Sequence, residues 1–413
     1  MIVPQVSKNT LYNLIFFIYL VFTETNLKLT LGLSSIGFLF TVAAIALSIL
    51  LIGVSLRFVT LSLQNVWVFL AAIFIIMLSI INMLLYFRGY ISIVQAMAFS
   101  IPWLLLTSVI LNQEYIGRNL GKFWAWFNNF VVLFISLGLI EYVACIFFGV
   151  IPPYVETANG EYLVGWFTVF YALDSYTPHF RFYGPFGEPG QLAMWASLLI
   201  FYNLLRKNYL SFIILCIAAF LANSPAILVS FLVAIIFFIL VKKNIIIWLL
   251  VLLSLSIFFL FFGDDLVSFI QTIYLYKESS LLSRYESISG FFNKLGFLVQ
   301  TYPFGLPFFE TSEEAFSSGI SFPANFSPIW AYERGGIITF SLYLLLFSYG
   351  LLNSLMAIIS SKKTLIDLEI PLYFLILLPF IIQRGSLFEF AIFPLLFASV
   401  FLKNVRRASQ AIV

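Results

Sequence analysis

The chain has 413 residues, of which 62% are hydrophobic and 9% charged, whereas an ordinary soluble domain carries about 25% charged residues. Its 21 Lys and Arg and 18 Asp and Glu leave a net charge of +3, too few ionic groups for a surface solvated by water. This excludes a soluble globular protein, a disordered chain and a nucleic-acid-binding domain, and leaves a bilayer as the main solvent.

In chain order, Lys8 and the apolar stretch from Leu11 to Thr23 come first. No small-residue cleavage site follows, so this reads as a retained first helix and not a signal peptide. Apolar runs then predict about twelve membrane spans in one transmembrane domain over 1–413: 11–23, 36–56, 66–86, 93–111, 123–148, 190–205, 209–223, 225–241, 244–262, 336–358, 370–384 and 387–402. The expected fold is an all-α polytopic membrane protein. Only Ser224 and Pro225 separate the 209–223 and 225–241 runs, which requires a tight turn there. Cys145 and Cys216 fall inside apolar runs and read as small core residues, with neither a disulfide nor a thiolate metal site indicated.

Lys and Arg fix the expected orientation. Alternating spans from a cytoplasmic N-terminus put Lys8, Arg57, Arg118, Lys122, Arg206, Lys207, Lys242, Lys243, Lys362, Lys363, Lys403, Arg406 and Arg407 inside. The short outer loops then hold only Lys28, Arg88 and Arg384, in keeping with the excess of basic residues that cytoplasmic loops carry. Both termini are therefore expected in the cytoplasm.

Two long outer loops remain, 149–189 and 263–335, and structureless loops of such length are usually functional. The second is acidic, with Asp264, Asp265, Glu278, Glu286, Glu310, Glu313, Glu314 and Glu333 against Lys277, Arg284, Lys294 and Arg334. Within it Ile288, Phe291, Phe292, Leu295 and Leu298 recur at helical spacing, which predicts an amphipathic helix on the membrane face, after Arg284 and before Pro303.

The densest motif is Arg181-Phe182-Tyr183-Gly184-Pro185-Phe186-Gly187-Glu188-Pro189-Gly190, at the start of the sixth span. Its glycines and prolines impose an unusual backbone path. Arg181 suits a phosphate through its planar fork, and Glu188 suits the positive end of a helix dipole. A structural ion pair that caps the helix is the alternative. Arg284, in Ser283-Arg284-Tyr285-Glu286, is either a solvated arginine or one retained in an acidic loop for an anionic ligand. In the patch running from Phe322 to Gly336, Asn325 is the first polar side chain, and Glu333 and Arg334 are either an interfacial pair or a carboxylate near a reaction centre. Glu141 lies inside the fifth span, Arg384 and Glu389 flank the last turn, and His179 is the single histidine, which rules out a histidine-based metal site. Asp264-Asp265 reads as a solvated stop to an apolar helix more readily than as a metal site.

The segments RFYGPFGEPGQLA (181–193), SRYESISGFFNKLGFLVQTYPFGLP (283–307) and NFSPIWAYERGGIITF (325–340) resemble the Wzy-type O-antigen and capsular polysaccharide polymerases, a superfamily shared with the O-antigen ligases. The shared features are the arginine, glycine, aromatic and Glu-Pro run; the arginine, amphipathic helix and Pro-x-Gly turn at Pro303-Phe304-Gly305; and the Asn-containing segment with its Gly-Gly pair. The ligases carry a histidine in the segment matching 325–336. This chain has Asn325 near that place, which favours a polymerase and leaves the general base unassigned.

The resemblance implies a GT-C-like glycosyltransferase of the bacterial inner membrane, with both long loops periplasmic. Its substrates would be oligosaccharides on undecaprenyl diphosphate, with membrane lipids around it and a chain-length regulator as a further partner. The leaving diphosphate already carries its charge, so guanidinium groups suffice to stabilise it and neither a metal nor a cofactor is required. The roles implied are diphosphate binding for Arg181 and Arg284, and orientation or deprotonation of the attacking hydroxyl for Glu188, then Glu333. His179, Tyr183, Asn325, Arg334 and Arg384 are secondary candidates. The rival expectations are an O-antigen ligase and a non-enzymatic flippase of lipid-linked oligosaccharides. A flippase places charge along a cavity within its spans; here ionisable residues gather in the outer loops.

Overall fold

The computed structural model describes residues 63–86, 113–148, 154–157, 160–164, 169–171, 182–186, 189–222, 285–307, 327–359 and 369–383, with scattered helical residues at 14–17, 46–49, 93–107, 227–236 and at Leu282. Helix α1 spans Leu63–Leu85 and α2 spans Gln113–Phe148. Helix α3 spans Pro189–Leu205 and α4 Tyr209–Leu221. Helix α5 covers 285–301, α6 spans Ser327–Ile359, and α7 spans Glu369–Gln383. Three described stretches, Val66–Leu85, Trp124–Cys145 and Pro328–Ile359, are long and apolar enough to cross a membrane. Gly190–Leu205, Tyr209–Leu221 and Pro371–Phe380 are shorter apolar helices.

The expected spans at 66–86, 190–205, 209–223 and 370–384 coincide with α1, α3, α4 and α7. Helix α4 ends at Leu221 with Ala222 as its C-cap, and the expected turn at Ser224 and Pro225 lies outside the described residues. The expected spans at 244–262 and 387–402 lie outside the described residues. Helix α2 starts at Gln113, well before the expected 123. At 1.5 Å per residue it is about 54 Å long, more than the ~30 Å of hydrocarbon, so part of it projects beyond the apolar layer.

Each helix sorts its residues by helical period. On α1, Val68, Ala71, Ala72, Ile75, Leu78, Ser79 and Asn82 are buried, while Trp67, Leu70, Phe74, Met77, Ile80 and Leu84 face outward. The outward face is as apolar as the inward one, as lipid requires. Helix α3 begins with Pro189, whose fixed φ and missing N–H suit the first helical position. It is buried almost all round from Leu192 to Tyr202 and forms the centre of the main core. Since lipid is as apolar as these side chains, close packing and polar contacts hold the helices together. Phe127 of α2 meets Trp195 of α3 at 4.7 Å between ring centroids, and Trp124 meets Tyr373 of α7 at 5.7 Å. Asn203 donates to Asn128 Oδ1 at 2.6 Å and also to the Leu199 carbonyl at 2.8 Å.

The described residues are predominantly helical, as expected of an all-α membrane protein, with one addition in the first long loop: β1 (Tyr154–Thr157), β2 (Gly160–Val164) and β3 (Val169–Tyr171) form an antiparallel sheet in the order β1-β2-β3. Thr157 pairs with Gly160, leaving only Ala158 and Asn159 between them, and the Asn159-Gly160 dipeptide is a hairpin signal. The β-branched and aromatic residues around it suit a pleated surface.

The amphipathic helix forms as expected, with one correction to its covering. Phe291 and Leu298 are fully buried, with Ile288 and Leu295 beside them, in a second core with Ile329, Tyr332 and Phe340 of α6. The stripe expected on the membrane face is therefore covered by protein, and Phe292 is exposed.

Candidate functional site

The second and third motif segments meet at a junction built from three elements. After Tyr302 accepts the end of α5 (its amide donates to Leu298 O at 2.7 Å), the chain turns through Pro303-Phe304-Gly305, closed by Gly305 N donating to Tyr302 O at 3.1 Å. Gly305 has φ +109°. This turn docks on a break in α6, where Gly335 and Gly336 leave helical geometry, Gly336 at φ +69° and ψ −161°. That conformation is essentially restricted to glycine. A Cβ on Gly336 would also overlap the Pro303 carbonyl.

The broken helix leaves orphan donors, and the turn satisfies one of them. Ile337 N donates to Pro303 O at 3.2 Å, and in the other direction Leu306 N donates to Glu333 O at 3.0 Å. The Tyr332 hydroxyl donates to Tyr302 O at 2.9 Å. From α1, Asn82 Nδ2 donates to Phe304 O at 2.8 Å and to Leu306 O at 3.3 Å. Tyr86, just past α1, approaches Tyr302 at 6.0 Å between rings.

The first motif forms a separate buried turn. Phe182 N donates to Leu221 O at 3.3 Å, which ties the motif to the end of α4, and Phe186 N donates to Tyr183 O at 3.2 Å. Gly184, at φ +57°, and Pro185 occupy the two central positions, the pattern of a II′-type turn. Phe182 is fully buried against Tyr142 of α2, with ring centroids 5.5 Å apart.

Helix α3 runs antiparallel to α2, with Asn128 opposite Asn203 at one end and Tyr142 beside Phe182 at the other. Helix α7 packs on α6 through Phe374 and Phe347, 5.5 Å apart, and its first residue, Glu369, meets the far end of α3. At that far end Arg206 grips Glu369 with two hydrogen bonds, 2.7 and 3.1 Å, and lies 3.8 Å over the Tyr202 ring. The Tyr373 hydroxyl also donates to Glu369. Burial disfavours the Arg206 charge, but the hydrogen bond and charge of Glu369 outweigh it and raise its pKa above the usual value. Arg206 and Lys207, expected on the cytoplasmic side, thus lie at the end of α3 opposite the first motif's turn.

Of the expected site residues, the described ones are Tyr183, Glu333 and Arg334. Tyr183 is buried in the first turn. Glu333 is half-buried at the junction, where its carbonyl is engaged by Leu306. Arg334 stacks over Trp330 at 4.8 Å. Arg181, Glu188, Arg284, His179, Asn325 and Arg384 lie outside the described residues, as do Asp264 and Asp265. Among the described residues no cluster of His, Cys, Asp or Glu could hold a metal ion.

Asn82, Arg206 and Glu369 were not singled out from the sequence as site residues. For Asn82 the signal was present: a carboxamide inside an apolar span requires a partner. In comparisons with known proteins, no family model, no curated protein and no solved structure matches the chain.

Proposed function

We propose that this chain is a Wzy-type polysaccharide polymerase that joins lipid-linked repeat units at the periplasmic face of the bacterial inner membrane. The acceptor's non-reducing sugar hydroxyl attacks the anomeric carbon of the donor glycan. A new C–O bond forms, the bond from that carbon to the bridging phosphate oxygen breaks, and undecaprenyl diphosphate departs with the electron pair. Arg181 and Arg284 stabilise the departing diphosphate through charge-assisted hydrogen bonds. Glu188 takes or orients the hydroxyl proton, with Glu333 as the second candidate.

One observation carries this reading. The Pro303-Phe304-Gly305 turn of the second motif and the Glu333–Gly336 bend of the third are joined by reciprocal main-chain hydrogen bonds, Ile337 to Pro303 and Leu306 to Glu333. Two segments grouped by resemblance are therefore one physical unit.

The test is reconstitution in proteoliposomes with a purified, labelled undecaprenyl-diphosphate-linked repeat. A ladder of products at one-repeat spacing is expected with no other acceptor present. No ladder, with transfer only when lipid A core is added, would make the protein a ligase. Movement of intact substrate between leaflets without transfer would make it a flippase.

A further inference from the structure

We infer that Asn82 of α1 is a positioning residue for the proposed transfer, holding the 302–306 turn, and α5 with it, at a fixed place on the bend of α6. The role rests on the polymerase reading, because the described part of α5 starts at Tyr285, next in sequence to Arg284, and Glu333 comes just before the bend at Gly335-Gly336.

The geometry is specific to a donor. Asn82 is fully buried in an otherwise apolar span. Both of its Nδ2 bonds go to main-chain carbonyls more than two hundred residues away, Phe304 O and Leu306 O. A buried carboxamide with no partners is strongly disfavoured, and one with partners specifies which segments meet. The approach is close enough that a Cβ on Gly305 would lie 2.5 Å from Asn82 Nδ2 and 2.6 Å from the Glu333 carbonyl. One helical turn earlier, Leu78 borders Gly335, whose added Cβ would stand 3.3 Å from Leu78 Cβ. Helix α1 therefore touches both halves of the junction, Asn82 on the turn and Leu78 on the bend.

The chain supplies its own control. Asn203 is also fully buried and also bridges two helices, but it bonds Asn128 and the Leu199 carbonyl and not the junction. A merely structural asparagine behaves alike at either place; a positioning residue does not.

The experiment uses the full chain with Cys145 and Cys216 replaced by Ala and with Tyr86→Cys and Tyr302→Cys as a distance reporter. A short bismaleimide reads the cross-linking rate, and the lipid-linked repeat assay reads kcat and KM on correctly inserted protein without the reporter. Asn82→Ala and Asn82→Leu, which removes both donors at nearly the same size, are expected to slow cross-linking at least tenfold and lower kcat at least tenfold, with KM within threefold. Asn203→Ala is expected to lower thermal stability and leave cross-linking and kcat unchanged. If these Asn82 variants fail to insert, Asn82→Ser, which keeps one donor, is read instead, with an intermediate loss expected. Normal cross-linking in the Asn82 variants, slowed cross-linking with unchanged kcat, or an equal kcat loss in Asn203→Ala each overturns the proposal. Absence of polymer from the parent protein overturns the polymerase reading and this role with it, while the cross-linking rates still report separately on the lock.

Discussion

The amide of Ile337 donates to the carbonyl of Pro303 across 3.2 Å, so a helix broken at Gly335-Gly336 is capped by the backbone of a turn from another segment. The cap works only because Gly336 has no side chain. Gly336→Ala combines a left-handed φ with overlap on the Pro303 carbonyl, and about 3 kcal/mol or more of destabilisation is expected. Gly296, exposed on α5, has nothing within 4 Å of an added Cβ. Gly296→Ala should gain about 0.5–1 kcal/mol from helix propensity. Thermal unfolding in detergent checks both signs; a neutral Gly336→Ala would show that the bend is not held by this contact.

The Asn128–Asn203 pair should behave as an interhelical fastener. A double-mutant cycle with alanine at both positions is expected to give a coupling of about 0.5–2 kcal/mol, since polar contacts between helices in lipid average well under the value expected in vacuum. Additive losses would show that each carboxamide is satisfied elsewhere.

Glu369→Gln should remove the bidentate grip of Arg206 and lower stability by roughly 1.5–3 kcal/mol, the range for hydrogen bonds to a charged group. The pair lies at the end of α3 opposite the first motif's turn, so turnover of the folded fraction should match the parent. Unfolding followed with and without substrate separates the two readouts. A turnover loss larger than the loss of folded protein would tie this end to the chemistry.

The helices were legible where one signal dominates. The runs behind α1, α3, α4 and α7 are continuously apolar, whether the face meets lipid, as on the outer side of α1, or protein, as around α3. The stripe from Ile288 to Leu298 declared α5 through its period, but not its partner, because an apolar face reads the same whether lipid or α6 covers it. The glycines at 305, 335 and 336 announced special backbone without saying that one bend would receive the other turn. The sheet was missed because its strands are only three to five residues long and lack a clean alternating pattern; only Asn159-Gly160 marked it. Asn82 and the Arg206–Glu369 grip escaped because each depends on a partner distant in sequence, and spacing along one helix carries no information about it.

A metal-free reaction is expected, because guanidinium groups at Arg181 and Arg284 take the role of a divalent cation beside the diphosphate. Polymer formation should persist when EDTA is added to the reconstituted system. Loss on chelation with rescue by added divalent metal would contradict this and return Asp264-Asp265 to consideration.

Glu188→Gln should reduce turnover far more than affinity, as removing a proton acceptor does. Comparing kcat with KM for the lipid-linked repeat decides this. A rise in KM with kcat unchanged would assign Glu188 to binding or structure.

The most direct measurement is the product length and initial rate of Arg181→Ala and Arg284→Ala in proteoliposomes supplied with lipid-linked repeat. Each variant should insert normally and lose about 10²-fold or more of the rate, the scale of removing one transition-state charge partner, leaving unpolymerised repeats. Normal-length polymer at the parent rate from either variant would contradict the account.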